Sequence, residues 1–352
     1  DSFVEDEDNN GFLNGDDYIE FYAEKNSSWL DSLVYTSPDY VPDPYYSLFN
    51  DTIRYFLTWN PQGFGLRMIN EDSTNFNSYS PLDYCWNKSY TKFSSDYTLG
   101  EQEDGLSSPL FENGEGWVGP VLTKGNANTE NLSTPNSFNG GPDANVRITI
   151  VSSNSAEVLP PVNPPPNNHN TKLYFNNSLI IDTSYYGYEK INFKFPATVS
   201  STSSAIKHEI GTIGQGADRQ HISEITIWYP HNLDFNGDST FTFGVGNNPI
   251  ASKSRIDFTN LHNSVNNPIL YVVNNEVKRV RVDYNNSSGK VLIPNTTIGD
   301  SLICFITDSL NFISVNDLSP VGSNGFFRNL DGLNLNNGYV IVSHKKLMHT
   351  AI

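Results

Sequence analysis

The chain has 352 residues, with 39 Asp+Glu against 21 Lys+Arg and a net charge of −18. Such a field opposes nucleic acid or an anionic membrane surface as partner, and 13% aromatic residues exclude a disordered chain. Its length exceeds one ordinary core, so two or three domains are expected, and the strongly acidic balance suits a soluble protein in a calcium-containing exterior.

Just past the first residues, from Asp6, stands "DEDNNGFLNGDDYIEFYAE". Counted from Asp6, oxygen donors fall at position 1 (Asp6), 3 (Asp8), 5 (Asn10), 9 (Asn14) and 12 (Asp17). Gly11 stands at position 6, where a calcium loop turns sharply, and Phe12 offers its carbonyl at position 7. Position 12 is Asp rather than Glu, so bidentate closure needs a shorter reach. Too few residues precede the loop for an entering helix, and the strand-like "DYIEFYA" follows, so the fitting version is a calcium-stapled β-turn. The competing reading is a solvated acidic turn, since Asp, Asn and Gly are ordinary turn residues.

Strand signals then recur as β-branched and aromatic runs broken by Asn, Gly, Asp and Pro. They are "TIRYFLTW", "NVRITIVSS", "TKLYFNN", "EKINFKFP", "ISEITIWYP", "STFTFGV", "NPILYVVN", "VKRVRVDY", "GKVLIP", "SLICFIT" and "GYVIVSH". In "INFKFP", Ile191, Phe193 and Phe195 fall on one side, with Asn192 and Lys194 on the other. The class is all-β, in tandem β-sandwich or jelly-roll-like modules. Composition divides the chain into an N-terminal β-module with the acidic loop (1–60), an irregular Gly/Asn/Tyr-rich excursion packed on a sandwich (61–140), a jelly-roll-like β-domain (141–247), and a second β-sandwich with its linker (248–338). Residues 339–352 pair the apolar run "YVIVSH" with the helix-compatible "KKLMHTAI", the way an α/β domain starts. The chain begins at Asp1 without a signal-peptide pattern, which reads as a processed or trimmed piece.

Cys85 and Cys304 read as two unmatched buried thiols, with a disulfide between them as the alternative, and nothing suggests a disulfide framework or a zinc site. No apolar run approaches the roughly 20 residues of a membrane helix, so the chain is expected not to be membrane-inserted. His208, His221, His231 and His262 are scattered among β-segments with no nucleophile signature beside them, so catalysis by this chain is not expected. Tyr185, Tyr186 and Tyr188 in "DTSYYGYEK" offer a sugar-stacking platform or, alternatively, ordinary sandwich packing. "DFNGDSTF" from Asp234 carries only part of a calcium spacing and reads as a hairpin tip. The "N-x-S/T" triplets at Asn26, Asn50, Asn87, Asn131 and Asn295 follow from an Asn-rich composition, and nothing is drawn from them.

The order of pieces resembles the region upstream of the peptidase domain in gingipain-type cysteine peptidases, a family that includes the sortase of the type IX secretion system. Three stretches carry the likeness: the acidic loop leading into "YIEFYA" and then "IRYFLTW"; "LYFNNSLI", "FKFPATV" and "ISEITIWYP"; and "NNPILYVVNNEV", "SLICFIT" and "YVIVSHKKL". The match covers most of the chain in order, although residues 61–140 contribute little and no single motif is highly specific. The family's catalytic His and Cys lie downstream of such a first strand. No "GHG" stretch is present, and neither Cys85 nor Cys304 has the expected context. The resemblance therefore implies a non-catalytic region of a gingipain-like cysteine peptidase at the bacterial surface or secreted, with structural calcium. Its implied partners are the downstream peptidase domain and protein substrates or secretion-system components. The alternative is a carbohydrate-binding or adhesive β-sandwich of a secreted protein.

Overall fold

The computed structural model describes residues 2–5, 14–58, 67–100, 110–154, 163–199, 202–213, 216–262, 268–274, 276–295, 301–315, 317–322 and 325–327. The chain divides after Asn311. The unit at 312–352 contains no helix or strand among its described residues, and the rest of this account concerns residues 1–311.

The described strands follow the β-branched and aromatic runs. The first group is β1 (Ser2–Glu5), β2 (Tyr18–Phe21), β3 (Ile69–Glu71), β4 (Cys85–Lys92), β5 (Asp96–Thr98), β6 (Gly116–Val118), β7 (Leu122–Thr123) and β8 (Ala127–Ser133). The next is β9 (Ala144–Ser152), β10 (His169–Phe175), β11 (Ser178–Tyr185), β12 (Lys190–Ala197), β13 (Ser203–Ile210) and β14 (Arg219–His231). The last is β15 (Thr240–Gly246), β16 (Lys253–Thr259), β17 (Ile269–Val273), β18 (Val277–Arg281), β19 (Asp283–Asn285), β20 (Ser288–Pro294) and β21 (Ser301–Thr307). Only short 3-10 turns, such as those at Asp31–Val34 and Pro38–Tyr40, interrupt this pattern.

A ten-stranded sheet runs β12-β9-β14-β4-β15-β21-β17-β18-β3, with β7 added against β14. A four-stranded sheet, β11-β10-β13-β8, covers one half of one face. Between them lies a core that includes Leu132, Ile148, Ile150, Leu173, Ile206, Ile225, Ile227 and Tyr229. A three-stranded sheet, β16-β20-β19, covers the other half. Its core gathers Phe235, Phe243, Ile256, Phe258, Leu270, Val280, Val291 and Ile306 with both cysteines. The all-β sandwich class holds, and the two sandwiches are fused through one continuous sheet.

Local chemistry explains the tight connections. Asn176 and Asn177 take positive φ (46° and 68°) in the two-residue link from β10 to β11, as Asn286 and Ser287 do (49° and 67°) between β19 and β20. This is the left-handed pair that suits the twist of a hairpin, and Asn tolerates it best after Gly. Pro196 interrupts no ladder because β12 is an edge strand. The expected alternation in β12 is present: Phe195 is buried and Ile191 and Phe193 half-buried, whereas Asn192 and Lys194 are exposed.

Several expectations change. The excursion at 61–140 supplies β4, which lies at the centre of the large sheet between β14 and β15. β15, grouped by composition with the residues before 248, packs Phe241, Phe243 and Val245 into the second core. The run "TIRYFLTW" forms no strand over its described part, residues 52–58, and Tyr55, Phe56 and Leu57 are exposed. The turn at 234–238 is no hairpin tip, because β4 separates β14 from β15. It docks instead on the end of β16, with Phe235 N–H donating to the Thr259 carbonyl at 2.9 Å. "GYVIVSH" and residues 339–352 lie outside the described residues.

Candidate functional site

The acidic stretch joins β1 to β2, which pair antiparallel with Glu5 opposite Tyr18. Of the expected calcium ligands, Asp6, Asp8, Asn10 and Phe12 lie outside the described residues. Asn14 and Asp17 close a turn on each other: Asn14 N–H donates to Asp17 Oδ2 at 2.9 Å, and Asp17 N–H donates to the Asn14 carbonyl at 3.0 Å. Both bonds use the backbone of Asn14, and the Asp17 carboxylate closes the turn as Asp commonly does. Among the described residues, no group of three or more His, Cys, Asp or Glu side chains converges as metal ligands do. The hairpin is anchored by Glu20, 7% exposed, whose Oε1 accepts Tyr271 O–H at 2.6 Å and Arg279 Nε at 3.0 Å.

His169, His208, His221, His231 and both cysteines are buried, whereas His262 is exposed and His344 and His349 lie outside the described residues. His169 Nδ1 lies 2.7 Å from Asp218 Oδ1, and its Nε2 lies 2.9 Å from the Asn154 carbonyl, so a backbone acceptor occupies the place where a nucleophile would stand. Asp218 also accepts Asn170 N–H and the Gln220 amide, each at 3.0 Å. Gln220 Oε1 in turn accepts the Thr171 hydroxyl at 2.5 Å and faces His208 Nε2 at 3.0 Å. The network pins β10, β13 and β14 together at one end of the first sandwich. Burial pushes His208 down to about 4 and lowers His221 and His231. His221 spends its ring on the Gly119 carbonyl and Ser153, and His231 on the Asn232 carbonyl. Cys85 and Cys304 are free and buried, and burial pushes the Cys85 thiol up to about 12 and Cys304 up as well. A thiol so held supplies almost no thiolate near neutrality. Tyr185 stacks on His169, with ring centroids 5.0 Å apart, so that face is turned to packing rather than to a sugar.

A site of another kind lies on the opposite face of the large sheet. In β9, Val146, Ile148 and Ile150 enter the core, so Arg147 and Thr149 point the other way. Register places Lys194, Arg147, Thr226 and Tyr90 in one row across β12, β9, β14 and β4, and Asn192, Thr149, Glu224 and Lys92 in the next. Glu224 is fully buried there. It accepts Arg147 Nε and the Thr149 hydroxyl on Oε1 and the Thr226 hydroxyl on Oε2, all at 2.7 Å. On a chain of net −18, Lys88, Lys92, Arg147 and Lys190 thus gather on one face.

Residues 39–48 lie over these cations as a strap. The Tyr45 ring has Lys88 Nζ 4.1 Å and Arg147 Cζ 5.2 Å from its centroid, and it meets Tyr90 edge-on at 5.2 Å. Lys92 Nζ stands 3.1 Å from the Tyr46 centroid. Lys190 Nζ donates to the Asp39 carbonyl and to the Val41 carbonyl, the latter at 3.1 Å. Asp43, 5% exposed, accepts Tyr90 O–H at 2.5 Å and Tyr45 N–H at 2.9 Å. Burial raises its carboxyl to about 6, against the opposing pull of those hydrogen bonds and of Arg147. Burial also lowers Lys88 and Lys190. The sequence holds one signal of this face, the outward positions of "NVRITIV" and "EITIW". It acquires meaning only when the four strands are set side by side.

No protein-family model matches the chain, and no curated protein matches it. Among solved structures it is similar to dimeric latent PorU from Porphyromonas gingivalis, with a TM-score of 0.45 and 10% identity. The superposition covers 66% of this chain and 21% of that one. At that score two folds agree in outline only, so no property of that protein is carried to this chain.

Proposed function

We propose that this chain is a non-catalytic β-module region of a gingipain-like cysteine peptidase of the type IX secretion pathway, displayed at the cell surface or secreted. In this reading it braces a peptidase domain and meets substrate proteins or secretion partners. The observation that carries the bracing role is the ten-stranded sheet shared by both sandwiches, which resists bending between them because strands of both halves hydrogen-bond in one ladder. The sealed thiols and the engaged rings of His169, His208, His221 and His231 support a non-catalytic role, and the order of the quoted stretches supports the family. A calcium ion held by Asp6, Asp8, Asn10, Phe12, Asn14 and Asp17 is proposed to staple the N-terminal hairpin.

Thermal unfolding tests the brace. Ile148→Ala in the first core and Phe258→Ala in the second should each lower a single common transition. Two separate transitions, each moved by only its own variant, would end the bracing reading. The gene tests the neighbour: the reading frame should continue past Ile352 into a Gly-His-Gly stretch and then a Cys, and a stop there would remove the peptidase.

A further inference from the structure

We propose that the cation-lined outer face of β12, β9, β14 and β4 is a recognition groove for an acidic, tyrosine-bearing protein segment, and that residues 39–48 occupy it as a built-in stand-in for that segment. This inference rests on the strap geometry and is independent of the family reading.

The groove is specific in kind. It supplies two stacking seats for tyrosine rings, under Lys88 with Arg147 and under Lys92. It supplies a phenol donor for a carboxylate at Tyr90 and an ammonium for backbone carbonyls at Lys190. The strap sequence "DYVPDPYY" answers each of these with a tyrosine, a carboxylate or a carbonyl. Charge complementarity therefore names the occupant: a segment with one or more Asp and adjacent Tyr, kept extended by Pro, which is how PxxP-type ligands limit their ordering entropy.

The strap is also a poorly satisfied occupant. Arg147 spends Nε on Glu224 and leaves Nη2 buried without an acceptor. No strand-to-strand ladder joins residues 39–48 to the sheet; the strap is held by Lys190, by Gly114 N–H on the Tyr40 carbonyl and by Asp31, which accepts from Ser47 and Leu48 at its end. Enclosure disfavours the charged forms of Asp43, Lys88 and Lys190 alike. A segment that brought a second carboxylate to Nη2 would gain a fork-shaped guanidinium contact the strap lacks.

The test uses the full chain and a fluorescein-labelled peptide of the strap sequence, TSPDYVPDPYYSLF. Tyr45→Ala with Tyr46→Ala empties both seats while keeping the groove cations, and should bind the peptide at least about tenfold more tightly than wild type, as two lost cation–π contacts imply. Adding Lys88→Ala and Lys92→Ala should abolish that gain. Binding should weaken at least about tenfold between about 0.05 M and about 0.5 M NaCl as screening shortens. Equal affinity of wild type and the Tyr double variant, indifference to the Lys substitutions, or equal binding of a peptide with both adjacent tyrosines replaced by Ala would overturn the proposal. So would competition by a simple polyanion as effective as the peptide. Should the Tyr variant fail to fold, hydrogen exchange on wild type decides. Amides of residues 39–48 should lose protection at the higher salt while β9 and β14 keep theirs, and unchanged strap protection counts against the groove.

Discussion

Two buried groups of the first sandwich and its strap titrate in opposite senses below neutrality. His208 is enclosed on β13, and burial pushes its pKa from 6.5 to about 4. The folded chain refuses a proton that the unfolded chain accepts, so this stability is present above pH 6.5 and lost as pH falls toward 4. Asp43 runs the other way: burial raises it from 3.8 to about 6, so the folded chain takes up its proton first, and stability is lost as pH rises from 3.8 through 6. Between about pH 7 and about pH 4.5, linkage gives each group a swing of about 2 kcal/mol, of opposite sign. These two nearly cancel in the wild type, and the lowered His221 and His231 tip the sum toward loss of stability in acid. Asp43→Asn removes one side, and on going from pH 7 to 4.5 should lose about 2 kcal/mol more than wild type does. His208→Gln removes the other and should lose about 2 kcal/mol less. Urea titrations followed by tryptophan fluorescence at both pH values read these differences independently of any constant destabilisation. Superimposable pH slopes for wild type and Asp43→Asn, or a steeper acid loss in His208→Gln, would refute the reasoning.

Gly289→Ala sets a Cβ 2.2 Å from Cζ of Phe258, its cross-strand partner, and should destabilise by about 2–4 kcal/mol through overpacking in chemical denaturation. Combining it with Phe258→Leu should recover part of that loss. Phe235→Ala removes a fully buried ring stacked at 4.5 Å on Phe241 and 4.9 Å on Phe258, and should cost about 3–5 kcal/mol. The native chain at about pH 8 should give no reaction with a thiol reagent and two equivalents once unfolded, as sealed thiols require; a native equivalent would contradict the burial of Cys85 and Cys304. Calcium at about a hundred times its dissociation constant should add about 3 kcal/mol and raise the melting temperature. Asp17→Ala or Asp8→Ala should abolish that rise, and a flat calcium titration of the wild type rejects the site.

Much of the fold was legible because burial imposes a period of two on a strand covered on one side. "INFKFP" shows it directly and became a strand of the expected facing, while "NVRITIVSS" became a strand buried on both sides over residues 148–152. Pairing was not legible. Nothing in "CWNKSYTK" announces that it lies between β14 and β15, since the ladder is backbone chemistry that any extended run offers. "TIRYFLTW" misled for the converse reason: β-branched and aromatic residues suit a pleated surface, yet residues 52–58 pair with no strand among the described residues. The strap-covered face escaped notice because Lys88, Arg147, Lys190 and Glu224 are distant in sequence and become one site only through register. The acidic loop was readable as a donor spacing, of which Asp6, Asp8, Asn10 and Phe12 lie outside the described residues.

The placement of β4 has a consequence for how the chain acquires its shape. Cys85 and His231 are register partners 146 positions apart, so the middle of the widest sheet cannot close until both distant runs are available. A topology so dominated by distant pairings folds slowly, and through that interval both flanks of the gap, β14 and β15, present open edges of the kind that recruit stray strands.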